Sequence, residues 1–262
     1  MRPAAHGLLL LAGMLATGPM MAAPATALTA YASMSGGTFA SVLPADGKTS
    51  PAQIAPFRLR TEPVTNAEFL AFVRKQPQWQ RDQVASVFAD KQYLSHWAAP
   101  NELGAKALAR QPVTRVSWFA AQAFCASEGA RLPSWYEWEY AAAADASRVD
   151  ARSDPAWRER VLRWYGRPSN VALPAVGGPA NVHGVRDING LVWEWVDDFN
   201  ALLVGVDSRD QAGADKMQFC GAGAISMQEK ENYATLMRVA MLSALKAVDT
   251  TNNMGFRCAK PQ

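Results

Sequence analysis

Apolar positions recur along this chain in short bursts separated by turn residues, and three of the bursts have a helical period. Over residues 65–75, Phe69, Leu70, Phe72 and Val73 form one face. Thr65 is placed to cap that helix, with Glu68 at the capping-box position. A second helix is predicted over residues 118–129, capped by Ser117, lined by Phe119, Ala120, Ala123 and Phe124 and stopped by Gly129. A third is predicted over residues 135–144, with Ser134 as cap and Glu137 three positions on. Extended pieces are predicted at residues 39–43 and 57–59 between Gly and Pro turns, at residues 219–224, and at the end over residues 254–258. Residues 226–246 have helical spacing (Tyr233, Leu236, Met237, Ala240, Met241) but are ambiguous in type. Residues 76–112 and 145–180 read as irregular, the latter wrapping the surface.

One stretch departs from both periods. Residues 187–195 place Trp193 and Trp195 two apart with Glu194 between them, and Asp187 beyond Gly190. On an extended segment the two indoles share a face and the carboxylate points the other way. A carboxylate among large apolar groups needs a partner. Two readings follow: a tryptophan-rich core turn with Glu194 in a salt bridge, or a hard cation held by Asp187, Glu194 and the carbonyls between them.

Composition narrows the setting. The chain has 262 residues, 49% of them hydrophobic, enough for one substantial core. No repeat or linker divides it. Nine Trp, 18 Gly and 16 Pro favour a loop-rich fold that uses aromatics as core pieces. A net charge of +3 without a basic cluster gives no footprint for nucleic acid. Residues 1–27 have the form of a cleaved export signal: Arg2, the apolar run GLLLLAGMLA at residues 7–16, and small residues at 25–27. No later run is long enough to span a membrane, so the expected product is a domain over residues 28–262 in the periplasm or outside the cell. Cleavage removes Arg2 and lowers the charge to +2. An oxidising address favours one disulfide and one free thiol among Cys125, Cys220 and Cys258. With His6 lost, only His96 and His183 remain, so a three-histidine metal site cannot be built from this chain. His96 beside Trp97 reads as a packed core residue.

Five ordered motifs carry a family resemblance: EPVTNAEF at 62–69, PVTRVSW at 112–118, AFC at 123–125 running into RLPSWYEWEY at 131–140, residues 181–195, and GFRC at 255–258. Together they resemble the formylglycine-generating enzyme, or sulfatase-modifying factor, family. The resemblance implies an α+β fold: a single compact, loop-rich formylglycine-generating-enzyme-like domain related to C-type-lectin-like domains. It implies a disulfide between Cys125 and Cys258. A second family bridge falls near Ala142 and Val239, neither a cysteine. It also implies a structural calcium ion held by the side chains of Asp187 and Glu194 and the carbonyls of Gly190 and Val192. A further family calcium site is not carried over, because its loop is shortened after Asn170.

The chemistry transfers less well. Oxidases of the family hold Cu(I) with two cysteines that would fall between Ser226 and Ala234, a stretch with no cysteine here. Cys220 is single, and Met217 and Met227 are more often core filler than soft ligands. A copper cofactor of the usual kind is therefore not expected. Three functions remain. One is an exported accessory or maturation factor for a periplasmic metalloenzyme, like the nitrite-reductase-associated members that the wording of residues 190–195 and 220–224 most resembles. Another is a non-catalytic module that binds a protein or peptide client. The third is an oxidase with a non-standard site around Cys220.

Overall fold

The computed structural model describes residue 1 and residues 30–43, 45, 50–169, 171–202 and 233–262. Among the described residues the elements are, in chain order, strands β1 (Tyr31–Met34), β2 (Gly37–Phe39), β3 (Ala52–Ile54) and β4 (Phe57–Arg60), then helices α1 (Asn66–Lys75), α2 (Trp118–Ser127), α3 (Trp135–Ala142) and α4 (Pro155–Tyr165), then β5 (Trp193–Glu194), α5 (Tyr233–Ser243), β6 (Met254–Gly255) and β7 (Ala259–Pro261). The expected export signal, the predicted strand at 219–224, Asn170 and Cys220 lie outside the described residues.

The sheets are small, and one of them closes the domain. β4 pairs antiparallel with β1 on one side and with β7 on the other, so the beginning and end of the domain meet across one strand. β2 and β3 form an antiparallel pair, and β5 and β6 a short parallel one with Trp193 opposite Met254 and Glu194 opposite Gly255. The architecture is mixed α/β and rich in irregular backbone, matching the expected α+β class.

The caps expected from sequence are made. Thr65 and Glu68 close a reciprocal capping box on α1, Ser117 accepts from the Ala120 amide on α2, and Ser134 and Glu137 close a second box on α3. Gly129 takes φ +63 just past α2, a conformation that penalises a side chain. Between α1, α2 and the C-terminal segment lies an aromatic core. Phe69 stacks on Phe124 at 5.7 Å, and Phe256 meets Phe124 edge-on at 5.4 Å. Cys125 and Cys258 are joined through Sγ with Cα atoms 5.5 Å apart, tying α2 to the segment between β6 and β7.

Three expectations are corrected. The segment 145–180 contains α4, which Asp154 caps and Pro155 starts. Its apolar residues Trp157 and Val161 are one turn apart and bury against Ala151 and Ala234, a period obscured by its many arginines. Of the terminal strand predicted over 254–258, only Met254–Gly255 is strand (β6), and Phe256, Arg257 and Cys258 turn into the core before β7 begins at Ala259. The piece predicted at 39–43 is strand only as far as Phe39, because Ser41 and Val42 bond instead to the buried Glu139 on α3.

Candidate functional site

The tryptophan-rich segment is positioned by the strand that follows it in space. The Trp193 amide donates to the Asn253 carbonyl at 2.8 Å and the Trp195 amide to the Gly255 carbonyl at 3.0 Å. That approach requires Gly255, since a Cβ there would meet the Val113 carbonyl oxygen at 2.8 Å. The two tryptophans serve different neighbours. Trp195 is fully buried, donates to the Val116 carbonyl at 3.0 Å and packs on Phe199. Trp193 is half-buried and stacks on Tyr165 at 4.5 Å, with Trp164 at 5.1 Å from it. Helix α4 therefore covers the outer indole of the motif.

Glu194 is at the centre of a buried charge cluster. Its Oε1 accepts from Arg257 Nη2 at 2.8 Å, and its Oε2 accepts from Arg257 Nε at 2.8 Å and from Trp138 Nε1 at 2.8 Å. The Glu194 and Arg257 side chains are both 0% exposed. Arg257 also donates to the carbonyls of Arg60, Thr61 and Arg186, linking β4 and the approach to the motif. A second guanidinium, Arg238 on α5, donates to the Glu194 carbonyl and lies 3.5 Å over the Trp138 ring. Burial pulls Arg238 down to about 10, and its Nε has no hydrogen-bond partner. Two guanidiniums thus face one carboxylate, with the indole face supplying part of the missing negative charge.

Asp187 does not join this cluster. Its backbone is left-handed at φ +60, and its carboxylate accepts from the amides of Gly177 at 2.7 Å and Gly178 at 3.1 Å. A Cβ at Gly178 would come within 2.4 Å of Asp187 Oδ1, so that loop needs glycine.

This arrangement does not fit the calcium site assigned to Asp187, Gly190, Val192 and Glu194. Both Glu194 oxygens are engaged by Arg257, both Asp187 oxygens are turned to backbone amides, and the surroundings of Glu194 already carry surplus positive charge. A divalent cation needs several hard oxygens free to converge on it. Among the described residues no group of three or more His, Cys, Asp or Glu side chains is gathered for a metal.

The remaining sequence candidates are dispersed. His96 is half-buried, lacks a partner at Nδ1, and is pulled down to about 4 by burial and by Arg115 and Arg81. Its neighbour Trp97 is buried and donates to Asn66 Oδ1 at 3.2 Å. His183 stacks on Tyr140 at 5.5 Å, and burial lowers its pKa. Beside Trp138 lies a cavity of about 10 Å³ with Glu139, Asn189, Tyr165 and Thr235 in its wall, room for one water and no substrate. Sequence reasoning had passed over Arg238 and Tyr165. Arg257 was visible within the GFRC motif but had no partner assigned from spacing.

The model of the sulfatase-modifying factor enzyme 1-like domain matches residues 17–262. The chain belongs to this family. A formylglycine-generating enzyme of Streptomyces coelicolor is 30% identical over 272 aligned positions, covering 86% of this chain and 85% of the relative. A Mus musculus relative named inactive C-alpha-formylglycine-generating enzyme 2 is 27% identical, covering 82% of this chain and 78% of its own. A hercynine oxygenase of Mycobacterium tuberculosis is 31% identical over 54% of this chain and 37% of its own length. Membership of the family therefore does not fix one activity: relatives include an enzyme called inactive and one named for a different oxygenation.

Proposed function

We propose that this chain is an exported accessory factor that binds a protein or peptide client in the maturation of a periplasmic metalloenzyme, and that it is not a copper-dependent formylglycine-generating oxidase of the standard kind. The observation that carries this reading is cysteine arithmetic. The chain has three cysteines, and Cys125 and Cys258 are bonded to each other, so one thiol, Cys220, is left. One thiol cannot supply the cysteine pair that the family's copper chemistry uses, and residues 226–234 offer no replacement. An export signal at residues 1–27 and an oxidising destination agree with the buried disulfide.

The test has two parts. Full-length protein is expressed with its N-terminus intact, and the mature form is recovered from the periplasm and sequenced from its N-terminus. It is then used as bait in periplasmic extract, where it is expected to retain an immature metalloenzyme or a peptide of one. Separately, the purified protein is incubated aerobically with copper and a cysteine-bearing peptide, where no oxidation is expected. Stoichiometric copper with turnover that disappears in Cys220→Ser overturns the proposal in favour of an oxidase around Cys220.

A further inference from the structure

Helix α4 gathers a scatter of arginines into one surface. Residues 155–169 hold four arginines against one glutamate, a net +3 that equals the charge of the whole chain. Arg160 and Arg163 on the helix, and Arg167 just past its end, follow at steps of three and four positions, so they share one stripe, and Trp164 lies beside it. All three arginines are exposed.

The carboxylates of this part of the chain are engaged elsewhere. Asp145 and Asp154 pair with Arg148, Asp150 pairs with Arg152 at 2.7 Å, and Glu159 pairs with Arg163 at 2.8 Å. Arg158 donates to the carbonyls of Arg152 and Ser153. Among the described residues the guanidinium groups of Arg160 and Arg167 have no hydrogen-bond or ion-pair partner. A cation in the last turn of a helix complements its dipole, but Arg160 lies before that turn.

Beside the stripe, the C-terminal end of α4 carries three rings in mutual contact. Trp164 is 5.0 Å from Tyr165 and 5.1 Å from Trp193, and Tyr165 stacks on Trp193 at 4.5 Å. All three reach solvent in part. Rings packed on one another are held in place, so they offer a bound side chain a fixed apolar face with little ordering cost.

We propose that this surface docks an acidic segment of the client, with two carboxylates on Arg160 and Arg167 and an aromatic side chain against Trp164 and Trp193. The two arginines are about 10 Å apart along the helix axis, a distance spanned by carboxylates three residues apart on an extended segment. The guanidinium fork matches a carboxylate with two parallel hydrogen bonds. A bilayer would need a broad apolar face on the helix, and the apolar residues of α4, Trp157 and Val161, are buried against Ala151 and Ala234. This rests on the client-binding reading above and names the chemistry of the client segment.

The probe is a rhodamine-labelled peptide GSEAWEASG, followed by anisotropy on the purified mature protein, with GSQAWQASG, GSKAWKASG and GSEASEASG as controls. At low salt the first peptide is expected to bind about ten-fold tighter than the glutamine and lysine peptides and about five-fold tighter than the serine peptide. Its advantage over the glutamine peptide shrinks to about two-fold at high salt, where exposed charges are screened. Arg160→Glu with Arg167→Glu removes the preference for the acidic peptide and transfers it to the lysine peptide. Both positions are exposed, so this variant should melt with the wild type. Lys75→Glu with Lys91→Glu makes the same change in net charge at exposed positions outside α4, and binding should stay within about two-fold. If the arginine double variant fails to fold, Arg160→Gln and Arg167→Gln measured singly give the same readout, each weakening binding about three-fold. Equal binding of the acidic and glutamine peptides, equal weakening by the lysine and arginine variants, or no binding up to about 1 mM overturns the proposal. So does sedimentation with vesicles of phosphatidylglycerol and phosphatidylcholine that the arginine variant loses while no peptide binds, which makes a bilayer the occupant. Client capture that is equal for the wild type and the arginine variant sinks the surface and leaves the proposed function standing. Acidic-peptide binding that is lost in the arginine variant, with no client in periplasmic extract, does the reverse.

Discussion

Arg257→Met is the most searching perturbation of the charge cluster. The substitution keeps much of the volume but removes the bidentate partner of Glu194 and the donors to the carbonyls of Arg60, Thr61 and Arg186. Glu194 is then an unpaired carboxylate at zero exposure, with Trp138 and the more distant Arg238 as its remaining support. Removing one partner of a buried pair costs about 3–5 kcal/mol. A domain of this kind has about 5–15 kcal/mol in all. In urea, with an m-value of about 2–3 kcal/mol per molar, the midpoint falls by about 1–2.5 M. Glu194→Gln is measured beside it, together with the double variant. Because the two groups are in contact, the double variant should be less damaged than the sum of the singles, by about 1–3 kcal/mol. A loss below about 1 kcal/mol for Arg257→Met, or strict additivity, refutes the reasoning. The same melts run in EDTA and in calcium test the fit argument. Calcium at one hundred times its dissociation constant adds about 2.7 kcal/mol to any protein that binds it only when folded, which moves the Tm of a domain this size by about 5–10 °C. Superimposable melts are expected, and a calcium-dependent rise refutes the conclusion that the site is unsuited to the ion.

Other consequences are open to direct measurement. Cys125→Ser with Cys258→Ser opens a bridge that spans 133 residues, and the chain-entropy model gives a loss of about 5 kcal/mol, read as a drop in denaturant midpoint; a change under about 1 kcal/mol would show that the bridge scarcely constrains the unfolded chain. The denatured mature protein should show one reactive thiol, since Cys220 alone is unbridged. His96 is held near 4 against an ordinary value of 6.5, so the folded state favours the neutral ring. Its contribution is complete above pH 6.5 and is lost as the pH falls towards 4. Comparison with His96→Gln isolates this component of the acid side of the stability profile, and identical profiles would contradict it. Thr65→Ala removes the cap of α1 and half of its capping box, for a loss of about 1 kcal/mol in urea unfolding; a Gly36→Ala variant should lose more, since its Cβ would lie 2.2 Å from the Ile54 carbonyl oxygen at φ +64.

The elements that the sequence determined are those whose cause is local. Thr65 with Glu68 and Ser134 with Glu137 start their helices within one turn, so three residues suffice to read them. Gly129 stops α2 by its own backbone freedom. The ordered motifs were likewise enough for the family and the α+β class. Helix α4 shows the limit of such reading: its cap and its Trp157–Val161 spacing are local, but its stability depends on Ala151 and Ala234, the latter far along the chain. The short β5–β6 pair likewise exists because residues 253–255 pass alongside residues 193–195. At the candidate site the division is sharper. Spacing showed that Glu194 would be buried and need a partner, and left a salt bridge and a cation as alternatives. The choice belonged to Arg257, Arg238 and Trp138, which lie 63, 44 and 56 positions from Glu194 in sequence. A buried carboxylate is neutralised by whatever the tertiary fold brings within hydrogen-bond reach, and no local pattern records which cation that is.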